Sequence, residues 1–173
     1  MKNYKEKLHK IKAFVFDVDG VLGSTKVLLH SSGELLRTMN IKDGYAMQYA
    51  TRQGYIIGII SGGKSDAVKQ RFNNLGITDV YMGAHSKMDH YKDFIAKYSL
   101  ADDEVIYMGD DLPDFEVMQR VGVATCPADA AQEIKDISAY ISHIAGGDGC
   151  ARDIIEQVMR LQDKWISPEA YKW

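Results

Sequence analysis

The chain has 173 residues, with 21 basic and 24 acidic side chains and two cysteines. Its length suits one domain, 1–173, with a well-buried core, and a net charge of −3 with both signs interspersed offers no single-sign field for a nucleic acid or a membrane surface. Cys126 and Cys150 stand in no metal-ligand spacing, which reads as free thiols in a reducing, cytoplasmic setting.

In chain order, the first segment holds five lysines between Lys2 and Lys12, with only Leu8 and Ile11 as aliphatic residues, and it does not read as a signal peptide. A strand is expected at 13–18, apolar until Asp17 interrupts it. Lys26-Val-Leu-Leu-His30, a Ser-Ser-Gly turn and 34–39 read as a β-hairpin. Helix-like spacing follows at 43–53 and stops at Gly54. Then come a strand at 56–60, a helix at 65–75 stopped by Asn74-Leu75-Gly76, a strand at 80–82 and a helix at 87–98. The second half repeats the rhythm: strands at 105–108, 121–124 and 140–141 alternate with helices at 114–120 and 129–135. A last helix at 151–162 places Ile154, Ile155, Val158 and Leu161 on one face. The tail is 163–173, and its part from Ser167 to Trp173 has no pattern of its own.

Most of the strands are continuously apolar, as strands buried on both faces are. Strands alternating with helices imply an α/β fold, a Rossmann-like doubly wound parallel sheet, with the hairpin as a flap after the first strand. No stretch approaches the roughly 20 apolar residues that span a bilayer.

Ligands of open α/β sheets bind at the carboxyl ends of the strands, so the residues just after each apolar run are informative. They are Asp17 and Asp19, then Ser61, then Lys87, then Asp110, Asp111 and Asp114. Carboxylates converging on one rim repel one another unless a cation lies among them. An all-oxygen set suits Mg²⁺, which keeps waters and a substrate phosphate in its octahedron. Any one element alone is an ordinary turn or helix cap. Caps do not explain the order of acid pair, hydroxyl, lysine and acidic cluster, each after a successive strand. The five histidines show no paired spacing, so no histidine metal site is expected. Gly146-Gly147-Asp148-Gly149 has no lysine after it and reads as a flexible loop rather than a phosphate loop.

These motifs, "DVDGVL", the Ser61 of "IISGG", Lys87 and "GDDLPD", resemble the four ordered motifs of the haloacid dehalogenase superfamily. "NIKDGYAMQYA", "RFNNLGITDVYMGAHSK" and "GGDGCARDIIEQV" further resemble the 3-deoxy-D-manno-octulosonate 8-phosphate phosphatase family, whose members act on the way to bacterial lipopolysaccharide. The resemblance implies Asp17 as nucleophile and Asp19 as general acid and base. It implies Ser61, Gly62 and Lys87 around the phosphoryl group, and Mg²⁺ held by Asp17, Asp19 and Asp110, with Asp111 and Asp114 in the outer shell. Asn40, Lys42, Asp43, Gly44 and Arg71 would contact the sugar. About 40 residues separate Asp19 from Ser61 and about 20 separate Lys87 from Asp110, too few for a separate cap domain of the usual size. The family covers its site instead with a neighbouring subunit of a tetramer, here through the flap (26–39) and the tail.

Arginine is common in the family where this chain has Gly63 and Gln48. Relatives acting on nine-carbon keto-deoxy sugar acids tend to carry glutamate at the Gly63 position, which leans the expectation towards an eight-carbon sugar phosphate and keeps the nine-carbon one as an alternative. A receiver-type phosphoacceptor domain shares the parallel fold but places its acidic pair side by side, and the D-x-D-G order opposes it. A catalytically silent binding subunit is opposed by the filled chemical positions.

Overall fold

In a computed structural model, whose described residues are 3–171, the apolar runs pair into one sheet. The elements are α1 (Lys5–Leu8), β1 (Ala13–Phe16), β2 (Leu28–Leu29), β3 (Leu35–Leu36), α2 (Ile41–Arg52), β4 (Ile56–Ser61), α3 (Asp66–Asn74), β5 (Asp79–Met82), α4 (Lys87–Tyr98), β6 (Val105–Met108), α5 (Phe115–Arg120), β7 (Val123–Cys126), α6 (Gln132–Ile137), β8 (Tyr140–Ile141) and α7 (Cys150–Leu161). The six-stranded sheet has the order β5-β4-β1-β6-β7-β8, with every pairing parallel.

Alternation along β1 divides the core. Phe14 and Phe16 face a cluster built with α2, α3 and α7, whereas Ala13 and Val15 face one built with α4, α5 and α6. All four residues are buried, which is why the segment reads as an unbroken apolar run. α7 carries the sharpest apolar stripe. Ile154, Ile155, Val158 and Met159 are fully buried, while Leu161, expected on that face, packs only partly against the core. Cys126 and Cys150 are buried free thiols, and no helix among the described residues is long and apolar enough to cross a membrane.

Several boundaries differ from expectation for local reasons. β1 stops at Phe16 rather than at Val18, because Val18 starts a turn whose carbonyl accepts from the Val21 and Gly23 amides at 3.2 and 2.8 Å. The helix expected from Asp114 is preceded by a 3-10 turn, Leu112–Asp114, with Pro113 in its first turn and Asp111 as its cap. β7 begins two residues late, since Val121 is the extended end of α5. α6 begins at Gln132, not Asp129. The 146–149 loop, expected to be flexible, is tied down: the Gly146 amide donates to Asp129 Oδ1 and that of Gly147 to Val21 O, both at 2.8 Å.

The tail does have structure. Trp165 is buried, Pro168–Tyr171 form a 3-10 turn, and Tyr49 on α2 is hydrogen-bonded to Lys164 O at 3.0 Å and to Ser167 Oγ at 2.9 Å. Through Ala170, which accepts from Tyr45, the tail lies on its own chain. Lys172 and Trp173 of the expected tail lie outside the described residues.

One glycine in the middle of a buried strand also finds its reason. A Cβ on Gly58 would stand 2.9 Å from the Phe94 ring, so β4 gives up a side chain to let α4 approach. Gly58→Val should destabilise the fold by about 1–3 kcal/mol through overpacking, seen as a lower urea midpoint with an unchanged m-value.

Candidate active site

The chain leaves β1, winds outward through β4 and β5, and returns across the sheet to β6 on the other side of β1. The crevice at this reversal is bordered by the carboxyl ends of β1, β4 and β6. Four of the expected groups meet there. Asp17 follows β1 directly, its amide held by Met108 O at 3.0 Å, and only 6% of the residue is exposed. Oδ1 accepts from the Val18 amide at 2.6 Å, and Oδ2 faces Lys87 Nζ at 2.9 Å. Lys87 also donates to Asp114 Oδ1 at 2.7 Å. Carboxylate oxygens of Asp17, Asp110 and Asp114 all lie within 4.8 Å of one another.

The electrostatics follow from burial. Desolvation, with the charge of Asp114, pushes the Asp17 carboxyl up to about 7 against the opposing pull of Lys87. Desolvation, with Asp17 and Asp114, does the same to Asp110, also to about 7. Burial alone would lower the Lys87 ammonium, but Asp17 and Asp114 outweigh it and hold it above the usual lysine value. Lys87 is the first residue of α4, capped by Ser86, where the helix dipole disfavours a cation. Its two carboxylate partners offset that cost. The set has one ammonium for three carboxylates, all donors are oxygen, and it fits a hard divalent cation.

Asp19 is half exposed and is engaged by a residue not anticipated from the sequence. Arg37, next to β3 on the flap, donates from Nε to Asp19 Oδ1 at 2.6 Å and from Nη2 to Oδ2 at 2.8 Å. Because β1 ends early, Asp17 and Asp19 are set by the turn and not by strand alternation. Gly20, at φ 92°, completes that turn, and a Cβ there would stand 2.0 Å from Asp110 Oδ2. The glycine after the acid pair is thus the space into which the third carboxylate fits. Ser61 ends β4, is 1% exposed, and its Oγ accepts from the Gly63 amide at 3.2 Å, leaving its own proton to donate. Gly62 beside it is exposed. Tyr107 on β6 is the second residue not anticipated; its buried hydroxyl donates to Asp114 Oδ1 at 2.6 Å.

Other expected residues are placed differently. Asp111 is exposed and accepts from the Leu112 amide at 2.8 Å, apart from the triad. Asn40 is the N-cap of α2, accepting from the Lys42 and Asp43 amides. Asp43 is 1% exposed; its Oδ1 takes the Arg152 amide in the first turn of α7 at 2.7 Å, and burial raises its carboxyl to about 6. Gly44 is covered by Arg71, whose Nη2 lies 2.6 Å from where a Cβ would be. Lys42 is exposed. Arg71 lines a groove between flap and α3 together with Arg37, Leu36 and Met39. Of the sugar contacts expected, Lys42 is exposed and Arg71 lies over Gly44 at the groove, beside Asn40 and Asp43.

Comparison with known proteins identifies the relatives of this fold. Residues 73–154 match the haloacid dehalogenase-like hydrolase family. The chain is 35% identical over 158 residues to the 3-deoxy-D-manno-octulosonate 8-phosphate phosphatase of Escherichia coli K12, covering 91% of this chain and 84% of that protein. The crystal structure of the Yersinia pestis phosphatase of the same name superposes with a TM-score of 0.91 at 31% identity, covering 94% of this chain and 88% of that one. The Moraxella catarrhalis phosphatase, crystallised with a magnesium ion, a phosphate ion and the sugar acid, gives a TM-score of 0.90 at 28% identity over 94% of each chain. A cobalt-bound form from Haemophilus influenzae gives 0.88 at 25% identity, covering 91% of this chain and 92% of that one. The chain belongs to the 3-deoxy-D-manno-octulosonate 8-phosphate phosphatase family of haloacid dehalogenase-like hydrolases.

Proposed function

We infer that the protein is a Mg²⁺-dependent phosphatase that hydrolyses 3-deoxy-D-manno-octulosonate 8-phosphate through an aspartyl-phosphate, in the cytoplasmic supply of lipopolysaccharide precursors. The observation that carries the reading is Lys87 clasped between Asp17 and Asp114, with Asp110 completing a triad within 4.8 Å. A buried carboxylate nucleophile, a fixed ammonium and an acidic excess that would hold a divalent cation suit in-line phosphoryl transfer.

A carboxylate oxygen of Asp17 attacks phosphorus as the bond to the sugar oxygen breaks, and Asp19 gives that oxygen its proton. Asp19 then takes a proton from water, whose oxygen attacks phosphorus, releasing phosphate and restoring Asp17. The Ser61 hydroxyl donates to a phosphoryl oxygen, and Lys87 neutralises charge on Asp17 and on the transferring group. Asp17, Asp110 and the Asp19 carbonyl, with Asp114 behind, would hold Mg²⁺, whose charge would let two anions approach.

Cover for the site is proposed to come from a tetramer around this single capless domain. The flap exposes Leu28 at 68% and Leu29 at 75%, an apolar patch suited to a neighbouring subunit. Light scattering after size exclusion should give four chains per particle, and a fully active monomer would sink this arrangement.

Asp17→Asn should take phosphate release below detection with the circular dichroism unchanged, and Asp19→Asn should cost about 10²–10⁴-fold. Undiminished turnover in the first variant refutes Asp17 as nucleophile. A release assay across octulosonate, nononate and hexose phosphates should favour the eight-carbon acid. EDTA should stop turnover and Mg²⁺ restore it.

The acidic excess also predicts a pH effect on the metal-free protein. Folding raises Asp17 and Asp110 from 3.8 to about 7, so the folded state binds protons that the unfolded state has lost. Stability should therefore fall as pH rises through 7, and saturating Mg²⁺ should flatten that fall. A melting temperature that stays constant from pH 6 to 8.5 without metal would contradict the cluster.

A further inference from the structure

Arg37 stands on an exposed hairpin, yet its side chain is only 6% exposed. It reaches under the flap to the rim, where three groups converge on one glycine. A Cβ on Gly63 would lie 3.0 Å from Arg37 Nη2, 3.1 Å from Asp19 Oδ2 and 3.4 Å from Ser61 Oγ. The side chain missing at Gly63 is therefore the room taken by the guanidinium, and the flap supplies a cation to the turn that follows β4.

Three of the guanidinium's five donors are committed: Nε and one Nη2 proton to Asp19, and one Nη1 proton to Leu35 O at 2.9 Å. Nη2, 3.0 Å from the Gly63 Cβ position, also borders the Ser61–Gly63 turn, where the phosphatase reading puts the phosphoryl oxygens. Lys87 supplies positive charge from the Asp17 and Asp114 side, and no cation of the sheet's own elements does so on the Asp19 side among the described ion pairs.

We propose that Arg37 is a phosphoryl-binding residue carried by the flap, bridging Asp19 and a non-bridging oxygen of the phosphomonoester, with Gly63 as the space that admits it. A planar fork can hold a carboxylate and a phosphoryl oxygen at once, whereas an ammonium on a flexible stem cannot reproduce both contacts. The flap then belongs to the phosphate site itself and not only to its cover.

This deepens the phosphatase reading and is tested by a measurement that does not require turnover. Inorganic phosphate is titrated into the Mg²⁺-loaded protein by calorimetry, and phenyl phosphate, which has no sugar to recognise, is assayed in parallel. Arg37→Ala and Arg37→Met should each weaken phosphate binding about tenfold or more, with KM for phenyl phosphate raised to match, and Arg37→Lys should recover only part. Melting curves of the three variants separate loss of the flap from loss of the contact. Phosphate affinity within twofold of the parent in folded Arg37→Ala overturns the assignment, whether or not turnover of the sugar phosphate falls. A parent protein that binds phosphate through Arg37 yet hydrolyses no phosphomonoester overturns the phosphatase reading and leaves the assignment supported.

Discussion

The Lys87 ammonium between Asp17 and Asp114 is the interaction on which the site depends. Three carboxylates within 4.8 Å of one another repel by roughly 3–4 kcal/mol per charged pair at an effective dielectric of about 20. One buried cation cannot offset all of that. The cluster persists because other groups share the charge: Tyr107 donates to Asp114, the Asp110 and Asp111 amides point at Asp114 Oδ2 at 3.2 and 3.4 Å, and Val18 donates to Asp17. Burial first, and then the repulsion left over, raises the carboxyls of Asp17 and Asp110, and a divalent cation would relieve both.

Holding such a cluster in place requires backbone that gives way. The Gly20 turn lets Asp110 come where a methyl group would collide, and the strand ends fix the rest. Met108 O holds the Asp17 amide, and the Asp110 carbonyl accepts from Ala131 at 2.8 Å at the approach to α6. Lys87 is placed by the start of α4, one of the few positions from which a long side chain can cross to β1 and β6 together. The sheet thus contributes position and the loops contribute charge, a division that suits a reaction in which the protein mainly neutralises and orients.

The rim was legible in the sequence because parallel strand order brings successive strand ends to one edge, so that Asp17, Ser61, Lys87 and Asp110 could be gathered by counting. Roles that depend on a few ångströms of depth were not. Asn40 and Asp43 sit where sugar contacts were expected, but one caps α2 and the other caps α7 from below the surface. Arg37 was hidden because its importance lies in a partner 18 residues away and across a turn; the only local hint is its place in the Leu35, Arg37, Met39 alternation of the hairpin. Tyr107 looked like one more apolar residue of "VIYM", since its hydroxyl is spent inside the core.

The flap's position follows from the same balance of forces. Its two strands are two residues each, and a short isolated hairpin is marginal in water. Its leucines face solvent, so among the described residues it is held at its end by Met39 packing on the core, by the bridge between Gly23 and Met39, and by the paired contacts of Arg37 with Asp19. An exposed ion pair is worth little; here the guanidinium is covered and the carboxylate is partly open to solvent, so breaking the fork chiefly leaves the guanidinium under the flap without its counter-charge. The flap is therefore tied to the rim through Asp19. Any ligand that competes for that guanidinium would act directly on the flap, so the proposed recognition of the phosphoryl group would be tied to the flap's position.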